Sequence, residues 1–184
     1  MSTLEVNKIT PVSGGTTVTL GNSGDTFNLA SGATAGFGKV LQAVSNTYAS
    51  GQIQTTSSAM TDAISQAITP ATTSSKVLVL LCFNFHFEAA AYGIGGRILR
   101  DSTTIMTDSA DSGSPNAYYH TYLNSGNDYY GKTSYMVLDS PSTTSSTTYK
   151  YQFGSYRNGY ATRFAQQGGA TNSTATLTLM EIAG

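Results

Sequence analysis

The chain has 184 residues, 10 acidic and 9 basic side chains, and a formal net charge of −1. That near-neutral balance excludes a dedicated nucleic-acid binder, which carries a basic surplus, and the single cysteine, Cys82, excludes an intramolecular disulfide framework and a cysteine-based zinc site. No apolar run approaches the roughly 18 residues of a membrane span, and Met1–Thr10 has no signal-peptide core.

Only 10% of the residues are charged, while Ser and Thr occupy 51 positions and Gly 19. A surface solvated by hydroxyls and amides, with Thr, Tyr, Val, Ile and Phe to build pleated strands, points to an all-β protein of the extracellular or virion-surface kind. Strongly alternating apolar runs supply a core and argue against disorder.

Residues 1–38 form a first region. Gly15–Gly21 and Gly24–Ala30 repeat at a nine-residue offset, matching Gly15 with Gly24, Thr17 with Thr26, Val18 with Phe27 and Leu20 with Leu29. Each unit reads as one short strand closed by a Gly-rich turn, and Leu4, Val6 and Ile9 form a looser version upstream. A strand that short cannot bury its apolar positions against itself. The expectation is a β-rich arm in which Leu4, Val6, Ile9, Val18, Leu20, Phe27 and Leu29 serve attachment and trimerisation, wound with two other copies; a tail docked on a partner is the rival. Ser31–Gly38 reads as a linker.

Residues 39–184 form the second region. Strands are expected at Lys39–Tyr48, Gln52 to Ile68 (two strands, or one with a bulge), Lys76–Ala89, Gly93–Met106, Ala117–Leu123, Lys132–Leu138, Thr147–Arg157, Ala161–Gln166 and Ala175–Ala183. Ser57–Ile68 is the best helical rival, weakened by its Ser and Thr and by Pro70. Eight to ten strands without spacing helices predict an antiparallel β-sandwich. Val77–Cys82 is apolar on both faces and predicts a central buried strand. Beyond it Phe83, Phe85 and Phe87 should face one way and Asn84, His86 and Glu88 the other, towards solvent or a subunit interface. Alternation in the last strand predicts that Leu177, Leu179 and Ile182 are buried.

Catalytic motifs are scarce. Gly21–Asp25 faintly echoes a serine-protease loop but is ordinary turn chemistry. Gly93–Gly96 leads into a strand instead of the helix a dinucleotide fingerprint needs. His86 with Glu88 on one strand face is a conceivable metal pair, though a hydrogen-bonded histidine is the plainer reading. Asp108 and Asp111 form an acidic loop that departs from calcium-loop spacing. No enzyme activity, cofactor or metal is expected.

Tyrosines carry the better signal. Tyr118, Tyr119, Tyr122, Tyr129 and Tyr130 crowd together among Asn, Ser and Asp, and Tyr156 and Tyr160 flank Arg157-Asn158-Gly159. Rigid amphipathic rings beside adaptable amides are a recognition composition, so these seven are the candidate receptor-binding residues; inward packing of some rings is the competing reading.

The stretches Met1–Pro11, Thr17–Gly21 and Gly24–Gly32 resemble the start of fibre-like virion proteins of marine tailed phages, cyanophages in particular. Lys39–Gln42, Ile68–Pro70 with Ser74–Val79, Leu138–Thr144 with Thr148–Lys150, and Thr176–Ile182 are similar to a head domain common in those phages. The resemblance covers framework strands and turns across nearly the whole chain and marks no active site. It implies a homotrimer with a jelly-roll-like head on a short arm, on the virion surface and made in the host cytoplasm. Its partners would be other copies of itself, proteins of the tail or capsid, and a host-surface glycan, with no nucleic acid and no membrane insertion. An arm of 38 residues spans at most about 130 Å, which suits a short fibre of the tail-fibre type; a capsid decoration (head-fibre) protein is the alternative, and a carbohydrate-processing tip a third reading.

Overall fold

The computed structural model describes residues 39–91, 93–107, 121–122, 127–166 and 173–184. The arm residues Leu4, Val6, Ile9, Val18, Leu20, Phe27 and Leu29 lie outside the described residues, as do Asp108, Asp111, Tyr118 and Tyr119.

Eleven strands are described: β1 (Val40–Tyr48), β2 (Ile53–Thr55), β3 (Thr61–Ile68), β4 (Lys76–Phe87), β5 (Gly93–Arg100), β6 (Thr103–Thr107), β7 (Thr121–Tyr122), β8 (Tyr129–Asp139), β9 (Thr147–Ser155), β10 (Thr162–Phe164) and β11 (Ala175–Ile182). All their pairings are antiparallel. One sheet runs β1-β11-β4-β8, and where β11 stops, β10 takes its place beside Phe85–Phe87 of β4 and is flanked by β2. The other runs β3-β9-β5-β6, with β7 beside the start of β5. Numbered in chain order, the eight principal strands stand 1-8-3-6 in one sheet and 2-7-4-5 in the other. This is the double Greek key of a jelly roll, and the expectation of an all-β sandwich holds.

Alternation positions the core between the sheets. Phe83, Phe85 and Phe87 all point inward, meeting Tyr149, Tyr151 and Phe153 from β9 and Phe164 from β10. The Phe83 ring centroid lies 4.9 Å from that of Tyr151 and 4.8 Å from that of Phe164, and the ring stacks at 6.2 Å on Tyr135.

Gln52–Ile68 is two strands, as expected, and the helical rival at Ser57–Ile68 is not formed. Other local expectations are corrected. Gly93–Met106 is a hairpin instead of one strand. Asp101 turns the chain at φ 52°, a left-handed conformation that Asp tolerates, and it is pinned by backbone and side-chain hydrogen bonds to Thr148. The β8 strand begins at Tyr129, three residues before Lys132, so Tyr129 and Tyr130 belong to a strand and not to a loop. Within Val77–Cys82 only Val77, Val79 and Leu81 are buried; Leu78, Leu80 and Cys82 point to the outer face and are half-exposed. In β11 the inward parity falls on Leu177, Leu179 and Glu181, leaving Ile182 outward and half-exposed.

The sandwich has two distinct ends. At the base, Val40, Ile182, Lys76 and Asp139 share adjacent rows, and Ala183 donates its N–H to the Lys39 carbonyl at 2.8 Å. At the top, about 35 Å away along the twelve residues of β4, lie Phe87, Tyr129, Thr162 and the start of β5. An inter-sheet clasp closes the base. Arg100 Nη1 donates to both Asp139 oxygens at 2.9 Å, and the Tyr149 hydroxyl donates to Asp139 Oδ2 at 2.7 Å. Burial, then the bond to Asp139, pushes the Tyr149 phenol far above the ordinary tyrosine pKa. Asp139→Ala strands both donors and should lower stability by about 2 kcal/mol, read as an earlier urea midpoint with an unchanged slope.

Candidate functional site

The top end carries the densest polar constellation among the described residues. Its frame is a row of cross-strand neighbours on the outer face: Tyr130 of β8 opposite His86 of β4, His86 opposite Arg163 of β10, and Arg163 opposite Gln54 of β2. Strand parity creates the row. Phe85 and Phe87 turn inward on β4 and send His86 outward, while Thr162 and Phe164 do the same for Arg163. Gly131 allows β8 to approach, because a Cβ there would run into the Phe85 ring.

His86 is only 2% exposed. Arg163 Nη1 stands 2.7 Å from His86 Nδ1. A guanidinium only donates, so Nδ1 accepts, Nε2 carries the proton, and Nε2 donates to Asp128 Oδ2 at 3.2 Å. Burial holds the imidazole below its ordinary pKa and the Arg163 charge adds to this, against the opposing pull of Asp128 and Glu88. Arg163 also donates from Nε to Gln54 Oε1 at 2.7 Å and from Nη2 to Glu88 Oε1 at 3.1 Å. Glu88 Oε2 accepts the Ala161 N–H and Asp128 Oδ1 accepts the Ala89 N–H. The Tyr130 ring stacks on His86 with centroids 4.3 Å apart and remains 40% exposed.

This arrangement sets its chemistry. Both His86 nitrogens are engaged, so the imidazole is a brace and not a base poised for a substrate proton. The guanidinium of Arg163 bonds both His86 and Glu88, and this cation stands where the conceivable metal pair needed its ion. Among the described residues no three His, Cys, Asp or Glu side chains gather to hold a metal. The group instead offers a fixed aromatic ring beside the solvent-exposed Asp128 carboxylate and Lys132. An aromatic face with planar hydrogen-bonding groups suits a hydroxylated ligand.

Among the described residues, the other predicted tyrosines belong to segments at the same end. Tyr129 turns inward, its centroid 5.3 Å from that of Phe87 and 6.0 Å from that of Phe85, and closes the core edge. Tyr122 lies in β7, whose backbone pairs with Gly93 at the start of β5. The Tyr156 N–H donates to the Gly93 carbonyl. Tyr160 packs against the core and carries Arg157 over its ring at 5.1 Å. Asn158 accepts the Ser58 N–H at 2.7 Å, so its amide oxygen secures the turn. Sequence reasoning missed Arg163 and Gln54 and placed Asp128 only among the polar neighbours of the tyrosines; the three lie 77, 32 and 42 residues from His86, and only the strand order makes them its neighbours.

No protein-family model matches the chain, and no curated protein is significantly similar to it.

Proposed function

We propose that this chain is a non-enzymatic virion surface protein, a short fibre of the tail-fibre type, in which residues 1–38 attach a homotrimer to the particle and the jelly roll presents its top end to a host-surface glycan. The observation that carries this reading is the polarity of the sandwich. Lys39, where residues 1–38 join, is at the base, and Tyr122, Tyr129, Tyr130, Tyr156 and Tyr160 are at the opposite end. A surface protein needs that separation between a held end and a reading end. The jelly roll also occurs in viral capsid and lectin domains, a fold-level analogy that supports the reading without specifying a ligand.

Phage particles carrying Tyr130→Ala should assemble in normal yield and adsorb to host cells about tenfold more slowly, the effect expected when one exposed aromatic anchor of about 1.4 kcal/mol is removed. Unchanged adsorption with Tyr130→Ala combined with Tyr156→Ala would retire the top end as the reading surface. Cryo-electron microscopy of the same particles locates the chain: density at the tail supports the fibre reading, and density on the capsid lattice selects the decoration protein instead.

A further inference from the structure

The outer face of the β1-β11-β4-β8 sheet changes character along its length. The top is the polar row of Tyr130, His86 and Arg163, but towards the base Leu78, Leu80, Met136, Leu138, Met180 and Ile182 make a continuous apolar field. Met136 is 69% exposed, Leu138 53% and Val40 45%, the most exposed large apolar side chains among the described residues. Scattered apolar residues need no explanation; a contiguous field across four strands does.

We infer that this face is a self-association surface, covered by a second copy of the same chain. Three observations select that occupant. The first is charge. Among the described residues no charged side chain stands on this face between Lys76 at the base and Lys132 near the top. Near a symmetry axis like residues meet and like charges repel, so a centre free of charge favours a second copy as the occupant.

The second is shape. A depression of about 400 Å³, lined by Leu80, Cys82, Ser134, Thr176 and Thr178, has the protruding Met136 as one of its walls. One surface thus holds both a knob and a hole, and a rotated copy can seat its Met136 in its neighbour's depression.

The third is area. Strands of 9, 8, 12 and 11 residues, spaced about 4.8 Å apart, present a footprint of about 630 Å², about four-fifths of the roughly 800 Å² that one partner contributes to a standard interface. The apolar field then forms the dry centre, and the top row forms the polar rim.

The inference deepens the homotrimer reading by moving the main contact from the arm to the head. Sedimentation of the full-length chain tests it, with Met136→Glu/Leu138→Glu as the face variant and Val18, Leu20, Phe27 and Leu29 all changed to Ser as the arm variant. Both face residues are exposed, so the variant should keep the parent's far-ultraviolet circular dichroism. The expected result is an oligomeric parent, an arm variant that stays oligomeric and a face variant that sediments as a monomer. An oligomeric face variant overturns the inference while the homotrimer survives; a monomeric parent overturns both. If both variants are monomeric, oxidised Met136→Cys decides. An interchain disulfide to Cys82 of the next copy upholds the face, and single chains only on a denaturing gel assign the contact to the arm.

Discussion

Phe83→Ala is expected to lower the unfolding free energy by about 3–5 kcal/mol, against a total of about 5–15 kcal/mol for a domain of this kind. The cost follows from where the ring sits. Phe83 is at the middle of β4 and contacts Tyr151 from the facing sheet, Phe164 from β10 and Tyr135 from β8. Deleting it removes its own burial and also opens a cavity that three rigid rings cannot fill by small rotations. Urea unfolding at fixed protein concentration reads the effect, because any oligomer ties stability to concentration. A loss below about 1 kcal/mol would mean that the surrounding rings relax into the space, contrary to an interdigitated aromatic core.

The second large effect concerns acid. Glu181 is fully buried. Its Oε1 accepts the Ala71 N–H at 2.7 Å and its Oε2 accepts from Gln42 Nε2 at 2.6 Å. Burial alone would raise its pKa, but hydrogen bonds from Ser75, Gln42 and Ala71 outweigh it and hold the carboxyl below the ordinary value of 4.5. A group whose folded-state pKa is depressed contributes stability that is complete above the unfolded value and is lost as pH falls through the folded one. His86 obeys the same sign: its pKa is depressed from 6.5, so its contribution declines once pH drops below that figure. Stability should therefore fall in two stages, one beginning near pH 6.5 and a second below about pH 4.5. Glu181→Ala should cost about 3 kcal/mol at pH 7, since it strands buried donors and leaves a void. The gap between variant and parent should narrow below pH 4. A gap that stays constant between pH 7 and pH 3 would count against an ionised Glu181.

Much of the sandwich is legible in the sequence because strand parity is a local property. The Phe83, Phe85, Phe87 alternation alone assigns the inner face of β4, and Leu177 with Leu179 does so for β11. The same parity, followed strictly, places Glu181 inside and Ile182 outside; hydrophobicity argues the reverse, and the buried hydrogen-bond donors around Glu181 decide between them. The turn at Asp101 escapes notice because neither Gly nor Pro marks it. Hydrophobicity on both faces of Val77–Cys82 suggests complete burial, yet the structure leaves the outer face bare. The top row is illegible for a different reason. Tyr130, His86, Arg163 and Gln54 come from four strands, and only the replacement of β11 by β10 beside β4 sets the last two next to the first. The tyrosine crowding does not foretell the opposite orientations of Tyr129 and Tyr130.

The base-to-top layout also has a mechanical consequence. A pull applied between Lys39 and Tyr130 runs along the strands, and β1 is held to β11 by an antiparallel ladder from Val40 opposite Ile182 to Tyr48 opposite Ala175. The inter-strand hydrogen bonds lie perpendicular to the strands, so this pull loads them sideways and together. Peeling β1 away from the edge would break them one at a time. Resistance to such a pull is a rate of forced unfolding, set by the barrier and not by the equilibrium stability. A shear-loaded edge strand lets a modest fold bear a brief tug that would unzip the same strand pulled outward.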